Sequence, residues 1–390
     1  MARSKPPERK RGQGTLGIHS DAAERTAGSP VVPPIVQSAT FHWADPSDGD
    51  LLYTRWTNNP NQELVADKVA ALEGMEAGIA LGSGMGAIAC TLLALTEAGD
   101  HIAASSLLYG GTNTLLASEL PRRGVETSFV DPRDGDWEAA LRPETRVIYL
   151  ELPTNPTMRV PDPRPVVALA RRKGIVVVAD VTFASPVNLR AGSLGVDVVV
   201  HSATKYLGGH ADIIAGVAAG PRNIIDQVNH VSRFFGPVLD PHAAWLLDRG
   251  LRTLEVRVRR HNENAQHVAE WLARQPGVTR VDYPGLASHP DHAVAKELLD
   301  GFGGMVGFVL EGGAPAADRF VSALEVAIAA PSLGGVETLV SQPRYTSHVG
   351  LSAEEREARG VPDGFVRISV GIEDRDDLTA DFQQALAAAG

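Results

Sequence analysis

Six short runs recur through the first half of the chain, most of them continuously apolar, spaced so that a helix fits between each pair. They are GIAL (78–81), HIAAS (101–105), VETSFV (125–130), RVIYLEL (146–152), GIVVVAD (174–180) and VDVVVHS (196–202). A strand with one wet face alternates apolar and polar residues, whereas a strand covered on both faces has no polar side to show. The series therefore predicts a largely parallel sheet flanked by helices, with helices near 110–121 and 163–173 and one over ELVADKVAALEGM before the first run. In such sheets reactive groups gather beyond the carboxyl ends of the strands.

The pattern changes after GPVLD (236–240). Residues 241–275 read as one long helical stretch, kinked near Gly250. Strands are then expected in GVTRVDYP (277–284), GGMVGFVLEG (303–312), LEVAIAAPS (324–332) and GFVRISVGIED (364–374). Residues up to about 60 are rich in Pro, Ser, Asn and Asp and lack periodicity, so they are expected to wrap another surface rather than form a core. The reading is an arm (1–60), a larger domain (61–245) and a smaller C-terminal α/β domain (246–390), with no internal repeat.

Composition narrows the class. With 44% hydrophobic residues, 5% aromatic and 39 glycines, the 390-residue chain resembles an ordinary α/β enzyme. A formal charge of −11 argues against a nucleic-acid partner. The basic start, with Lys5, Arg9, Lys10 and Arg11, reads as a solvated arm without a signal-peptide core. No apolar run is long enough to span a membrane, and a lone Cys90 in AIACTLLAL reads as core; the expected compartment is cytoplasmic. His289 and His292 in SHPDH are expected in a surface loop, and no metal site is expected.

The last run of the large sheet continues into HSATKYLGGH, which puts Lys205 just past a buried strand. Two readings are open: a surface ammonium, or a partly desolvated amine that forms a Schiff base. Ser202, Thr204 and the pair Gly208–Gly209 favour the second, because hydroxyls and close backbone suit a phosphate beside the amine. If the partner is pyridoxal phosphate, its ring nitrogen needs a carboxylate, its phosphate needs N–H donors at a helix start, and its ring needs a flat neighbour. Asp180 ends a buried strand, Gly84 and Met85 open a helix in GSGMGAI, and Tyr109 precedes a helix in LLYGGT. Gly82, Gly84 and Ala87 also approach a dinucleotide fingerprint, but the next strand ends in AASS with no carboxylate, so a dehydrogenase is the weaker reading.

HSATKYLGGH, SGMGAI, YGGT, ELPTNP, DVTFASP and RISVGIED, in this order, resemble the Cys/Met-metabolism family of pyridoxal-phosphate enzymes. The likeness runs from about Thr15 to the C-terminus. It implies the aspartate-aminotransferase type I fold, with a mostly parallel seven-stranded sheet in the large domain, and pyridoxal 5′-phosphate as cofactor. By resemblance Lys205 is the cofactor lysine, Asp180 the partner of the ring nitrogen, and Gly84, Met85, Ser202 and Thr204 phosphate ligands. Tyr53 and Arg55 match residues that reach the phosphate of a neighbouring subunit, which implies a homodimer and a homotetramer of two such pairs. Tyr109 matches the stacking tyrosine that aids proton transfer to the leaving group. Asn155 matches a residue near the cofactor's phenolic oxygen, and Glu151 is expected to support the site from behind. Arg367 matches the arginine that clamps the substrate carboxylate, with Ser332 beside it. Alternation in FVRISV agrees, since Val366, Ile368 and Val370 share one face and Arg367 and Ser369 the other.

The implied activity is γ-elimination from a sulfur-containing or related γ-substituted amino acid, giving a 2-oxo acid, ammonia and a thiol. The alternative is γ-replacement on an O-acylated homoserine; a binding protein with a decayed site is a third reading. Two departures bear on the choice. Val181 stands where the family commonly has Asn, and Pro331 where cystathionine enzymes commonly have Glu. Arg344 and Tyr345 also depart from the usual sequence, and Arg344 is open to two readings: it meets an acidic or phosphorylated substituent, or it lies on the surface.

Overall fold

The computed structural model describes residues 11–19, 27–43, 45, 47, 49, 51–347 and 349–390. Lys5, Arg9 and Lys10 of the basic tail lie outside the described residues.

The large sheet contains β1 (Ala77–Leu81), β2 (His101–Ser105), β3 (Glu126–Val130), β4 (Thr145–Glu151), β5 (Val176–Asp180), β6 (Val198–Ser202) and β7 (Gly216–Gly220). Their spatial order is β1-β7-β6-β5-β4-β2-β3, and only β7 runs against its neighbours. The six runs read from the sequence are six of these strands. The seventh, GVAAG, has one β-branched residue and no alternation, so pattern alone does not mark it.

Apolar side chains cover both faces. On one side Ile79, Leu81, Ile102, Tyr149 and Val200 pack with the Gly84–Leu95 and Arg222–Phe235 helices. On the other, Val65, Val69, Leu72, Leu207, Leu247, Leu251 and Val258 form a core shared with the second half of the chain. The Pro60–Glu73 helix in that core is well specified: Asn59 and Gln62 form a capping box, Pro60 opens the first turn, and Gly74 closes the helix at φ +70°. Its buried Lys68 pairs with Asp248.

The smaller sheet is formed by β8 (Val278–Asp282), β9 (Met305–Leu310), β10 (Ile328–Ala329), β11 (Leu339–Ser341) and β12 (Phe365–Ser369), in the order β10-β11-β12-β9-β8. The Leu254–Leu272, Gly313–Ser322 and Arg375–Ala389 helices pack on it around Phe308, Phe320 and Phe382. The expected kink near Gly250 is a full break: one helix ends at Leu251 and the next begins at Leu254. The expected strand over 324–332 shrinks to Ile328–Ala329.

Histidine placement corrects the surface-loop expectation. His289 is buried and accepts from the Asp291 N–H, because Asp291 pairs bidentately with Arg159 and so draws this turn onto the segment after β4. His292 donates from Nδ1 to the Pro284 carbonyl at 2.8 Å. Cys90 is in the core, where burial pushes its thiol up to about 11. Among the described residues no helix is long and apolar enough to cross a membrane.

Candidate active site

The carboxyl ends of β4, β5 and β6 place Glu151, Asp180 and Ser202 along one side of a cavity of about 660 Å³. Lys205, in the turn after β6, and Arg367, on β12 of the smaller sheet, join them there. The site thus lies at the seam between the two sheets.

The amine and the guanidinium each cross that seam. Lys205 Nζ donates to Ser332 Oγ at 2.8 Å. Arg367 donates from Nη1 to Asn155 Oδ1 at 3.0 Å and from Nη2 to the Ser332 carbonyl at 3.2 Å. Its Nε is buried with no partner. Val366, Ile368 and Val370 do enter the core opposite, as alternation requires. Ser332 sits at φ +116°, a conformation that non-glycine residues rarely adopt and that commonly marks a functional site.

Two buried carboxyls lie side by side, since Glu151 and Asp180 are register partners. Glu151 accepts from the Tyr109 N–H at 2.7 Å and from the Asn155 N–H at 2.9 Å. Burial, and then the Asp180 charge, push its carboxyl up to about 8. Asp180 is also raised by burial, offset in part by two bonds from Thr182 (Oγ1 at 2.5 Å, N at 2.9 Å) and by His201. Thr182 Oγ1 accepts in turn from the Ser202 N–H at 2.9 Å, which ties the ends of β5 and β6 together. Burial and the Arg367 charge hold the Lys205 ammonium below the usual lysine range, and burial lowers Arg367 to about 10. Two carboxyls and two basic groups are therefore desolvated in one cavity, each shifted toward its neutral form by burial.

The anion end is built by the Gly84–Leu95 helix. Ser83 caps it by accepting from the Gly86 N–H at 2.9 Å. Among the described residues no acceptor meets the Gly84 or Met85 N–H, and both residues line the cavity. Gly84 is there for close approach: a Cβ on it would lie 2.7 Å from Ser202 Cβ. The Thr204 hydroxyl is engaged with Ala215, donating to its carbonyl at 3.2 Å and accepting from its N–H at 3.0 Å.

The cavity thus brings together Gly84, Met85, Tyr109, Asn155, Asp180, Ser202, Thr204, Lys205, Ser332 and Arg367. Tyr53 and Arg55 are not in it; Arg55 stacks on the Tyr53 ring and donates to the Arg233 carbonyl. Pro331 lines the cavity, and Val181, the other departure, is wholly buried. Sequence reading passed over Ser83, Thr182, Phe183 and Ile214; the first two follow from turn chemistry at a helix start and a strand end, whereas the apolar pair left no signal.

These features fit pyridoxal phosphate: unpaired N–H groups at a helix start, a buried carboxylate short of a cation, and a desolvated amine between them. A family model for the Cys/Met metabolism PLP-dependent enzymes matches residues 14–387. The chain belongs to this family. Its members use pyridoxal phosphate in sulfur amino-acid metabolism, so the protein is an enzyme with that cofactor. Among relatives, L-methionine gamma-lyase of Pseudomonas putida is 43% identical, over 97% of this chain and 98% of its own. Cystathionine beta-lyase MetC of Bacillus subtilis is 41% identical, over 90% of each chain. The solved cystathionine gamma-lyase of Lactobacillus plantarum, complexed with L-serine, superimposes with a TM-score of 0.92 at 36% identity, over 97% of this chain and 99% of that one. The type I PLP-enzyme fold expected for the chain is the one observed.

Proposed function

We propose that this enzyme is a lyase that eliminates the γ-substituent of a sulfur-containing amino acid. Water and the substrate give a 2-oxo acid, ammonia and a thiol. The observation that carries the reading is the match to a methionine gamma-lyase over almost the full length of both chains.

The chain's own groups suit the steps. Arg367 receives the substrate carboxylate through its unpartnered Nε and the spare hydrogens of its Nη groups, a planar match for a planar anion. Asn155 and Ser332 hold the guanidinium in place. Bound pyridoxal phosphate supplies the electron sink that makes the substrate's Cα–H and then its Cβ–H acidic. Asp180 would keep the ring nitrogen protonated, and Gly84, Met85, Ser202 and Thr204 would hold the phosphate. Lys205 Nζ, held below the usual lysine range by burial and the Arg367 charge, takes the Cα proton and moves the Cβ proton. Tyr109, held by Glu151 through its backbone N–H, gives a proton to the departing thiolate.

The three-part division at residues 60 and 245 and a cytoplasmic location belong to this reading. So does a homotetramer of dimers, in which Tyr53 and Arg55 complete a neighbour's site; their place outside their own chain's cavity supports that role. The enzyme loaded with cofactor and given methionine alone is expected to form 2-oxobutyrate, ammonia and methanethiol in equal amounts. Absence of keto acid, with a thioether formed from an O-acylhomoserine and a thiol, overturns elimination in favour of replacement.

A further inference from the structure

Arg344 takes neither of the places open to it in the sequence. Its side chain is only 13% exposed and is committed to an ion pair with Asp318 in the Gly313–Ser322 helix. It also donates from Nε to Gln342 Oε1 at 2.9 Å, and Gln342 donates to the same Asp318 oxygen. The guanidinium lies 4.2 Å from the centroid of the Tyr345 ring, and the Tyr345 hydroxyl is 3.4 Å from Asp318 Oδ2. Arg344 is not part of the cavity wall; Tyr345 is.

Among the described residues the charged ones in the wall are Glu151, Asp180, Lys205 and Arg367, and the carboxyls and Arg367 are buried. At the exposed rim are Ile214, Pro331 and Tyr345, with Thr346 and Ser347, all uncharged. Among the described residues of this rim, an ammonium or carboxylate at the far end of a substrate therefore meets no counter-charge, while a sulfur or methyl group finds an aromatic face.

Resting on the γ-elimination reading above, we propose that Tyr345, pinned by Arg344 and Asp318, is a specificity-determining residue that receives the γ-substituent and selects an uncharged one, such as a short alkyl thioether, over one ending in a charge. Cation–π stacking and the Asp318 contact hold the ring in one orientation, so little freedom remains to be lost when a ligand packs on it.

The test is titration of the cofactor-loaded enzyme with norleucine, lysine and 2-aminoadipate, which have no group to eliminate, read from the cofactor's absorbance. Wild type is expected to bind norleucine about tenfold or more tighter than either charged analogue. Tyr345→Ala is expected to weaken norleucine binding about fivefold, the size of one sulfur- or methyl–aromatic contact, and to leave the charged analogues unchanged. Tyr345→Phe restores norleucine binding, and Arg344→Gln falls between wild type and Tyr345→Ala. Wild-type norleucine affinity in Tyr345→Ala, or equal binding of all three analogues by wild type, overturns the proposal. Absence of any absorbance change with all three overturns it together with the amino-acid-lyase reading. Norleucine selectivity without keto acid from methionine sinks only the elimination chemistry.

Discussion

Glu151 ends β4 in the cavity wall, and its two oxygens fix Tyr109 and Asn155 at once. Its carboxyl is raised from 4.5 to about 8, so the folded protein binds this proton more tightly than the unfolded chain. Stability from that source is complete below about pH 4.5 and is lost as pH rises through 8. In cofactor-free protein, denaturant unfolding is expected to show the stability of wild type relative to Glu151→Gln falling by on the order of 1–4 kcal/mol between pH 5 and 8. A pH-independent difference refutes this. Lys205 is lowered, in the opposite sense, by burial and Arg367. Acylation of cofactor-free protein, mapped by mass spectrometry, should reach Lys205 at a lower pH than surface lysines, and Arg367→Gln should move that midpoint up. Residues that end apolar runs, such as Asp180 and Ser202, are legible in the sequence because position and chemistry coincide. Thr182 is not, because its part depends on meeting Asp180 and the Ser202 N–H across a strand gap.

At the scale of elements, the Gly84–Leu95 helix start is the proposed phosphate seat, with the Gly84 and Met85 N–H groups facing the cavity and no acceptor for either among the described residues. Gly84→Ala would press a methyl to 2.7 Å from Ser202 Cβ and 2.9 Å from its Cα, so backbone must move. Titration of this variant with pyridoxal phosphate is expected to show affinity reduced about tenfold or more; unchanged affinity would mean that this turn does not hold the phosphate. The glycine-rich turn was readable because a strand, a cap and an apolar helix follow in order. Less readable was the helical stretch after Tyr109. It runs as a short α-helix to Thr114 and then as a wider π-turn over Leu115–Glu119, a change that side-chain spacing does not announce. β7 escaped for a related reason: its Gly and Ala residues are chosen for close packing, with a Cβ on Gly216 falling 2.0 Å from the Ser83 carbonyl oxygen. The break at Arg252–Thr253 lies two residues past the Gly250 that signalled it.

At the scale of the whole molecule, the arm before residue 60 docks on its own chain at several points. Trp245 donates to the Pro33 carbonyl, and Asn61 accepts from the Val36 N–H. It still leaves Val31, Val32, Ile35 and Trp43 exposed. If Tyr53 and Arg55 complete a neighbour's site, inactive Arg55→Ala and Lys205→Ala protomers, unfolded and refolded together, should regain about a quarter of wild-type activity. Half of the dimers are then mixed, and each holds one intact site. No recovery would place each site within one chain. The sequence pattern could not reveal that the cavity spans two sheets, since nothing in FVRISV or PSLGG says which strand end they will face.

That seam has a consequence for how the protein wears out. Within this chain the residues proposed to meet ring and phosphate, Gly84, Met85, Asp180 and Ser202, belong to the larger-sheet body, whereas Ser332 and Arg367 come from the other and meet it through two hydrogen bonds. Loosening the second body unlatches the amine and withdraws the carboxylate clamp in a single event, while the coenzyme keeps its berth. Ageing preparations would stay yellow after they had stopped working.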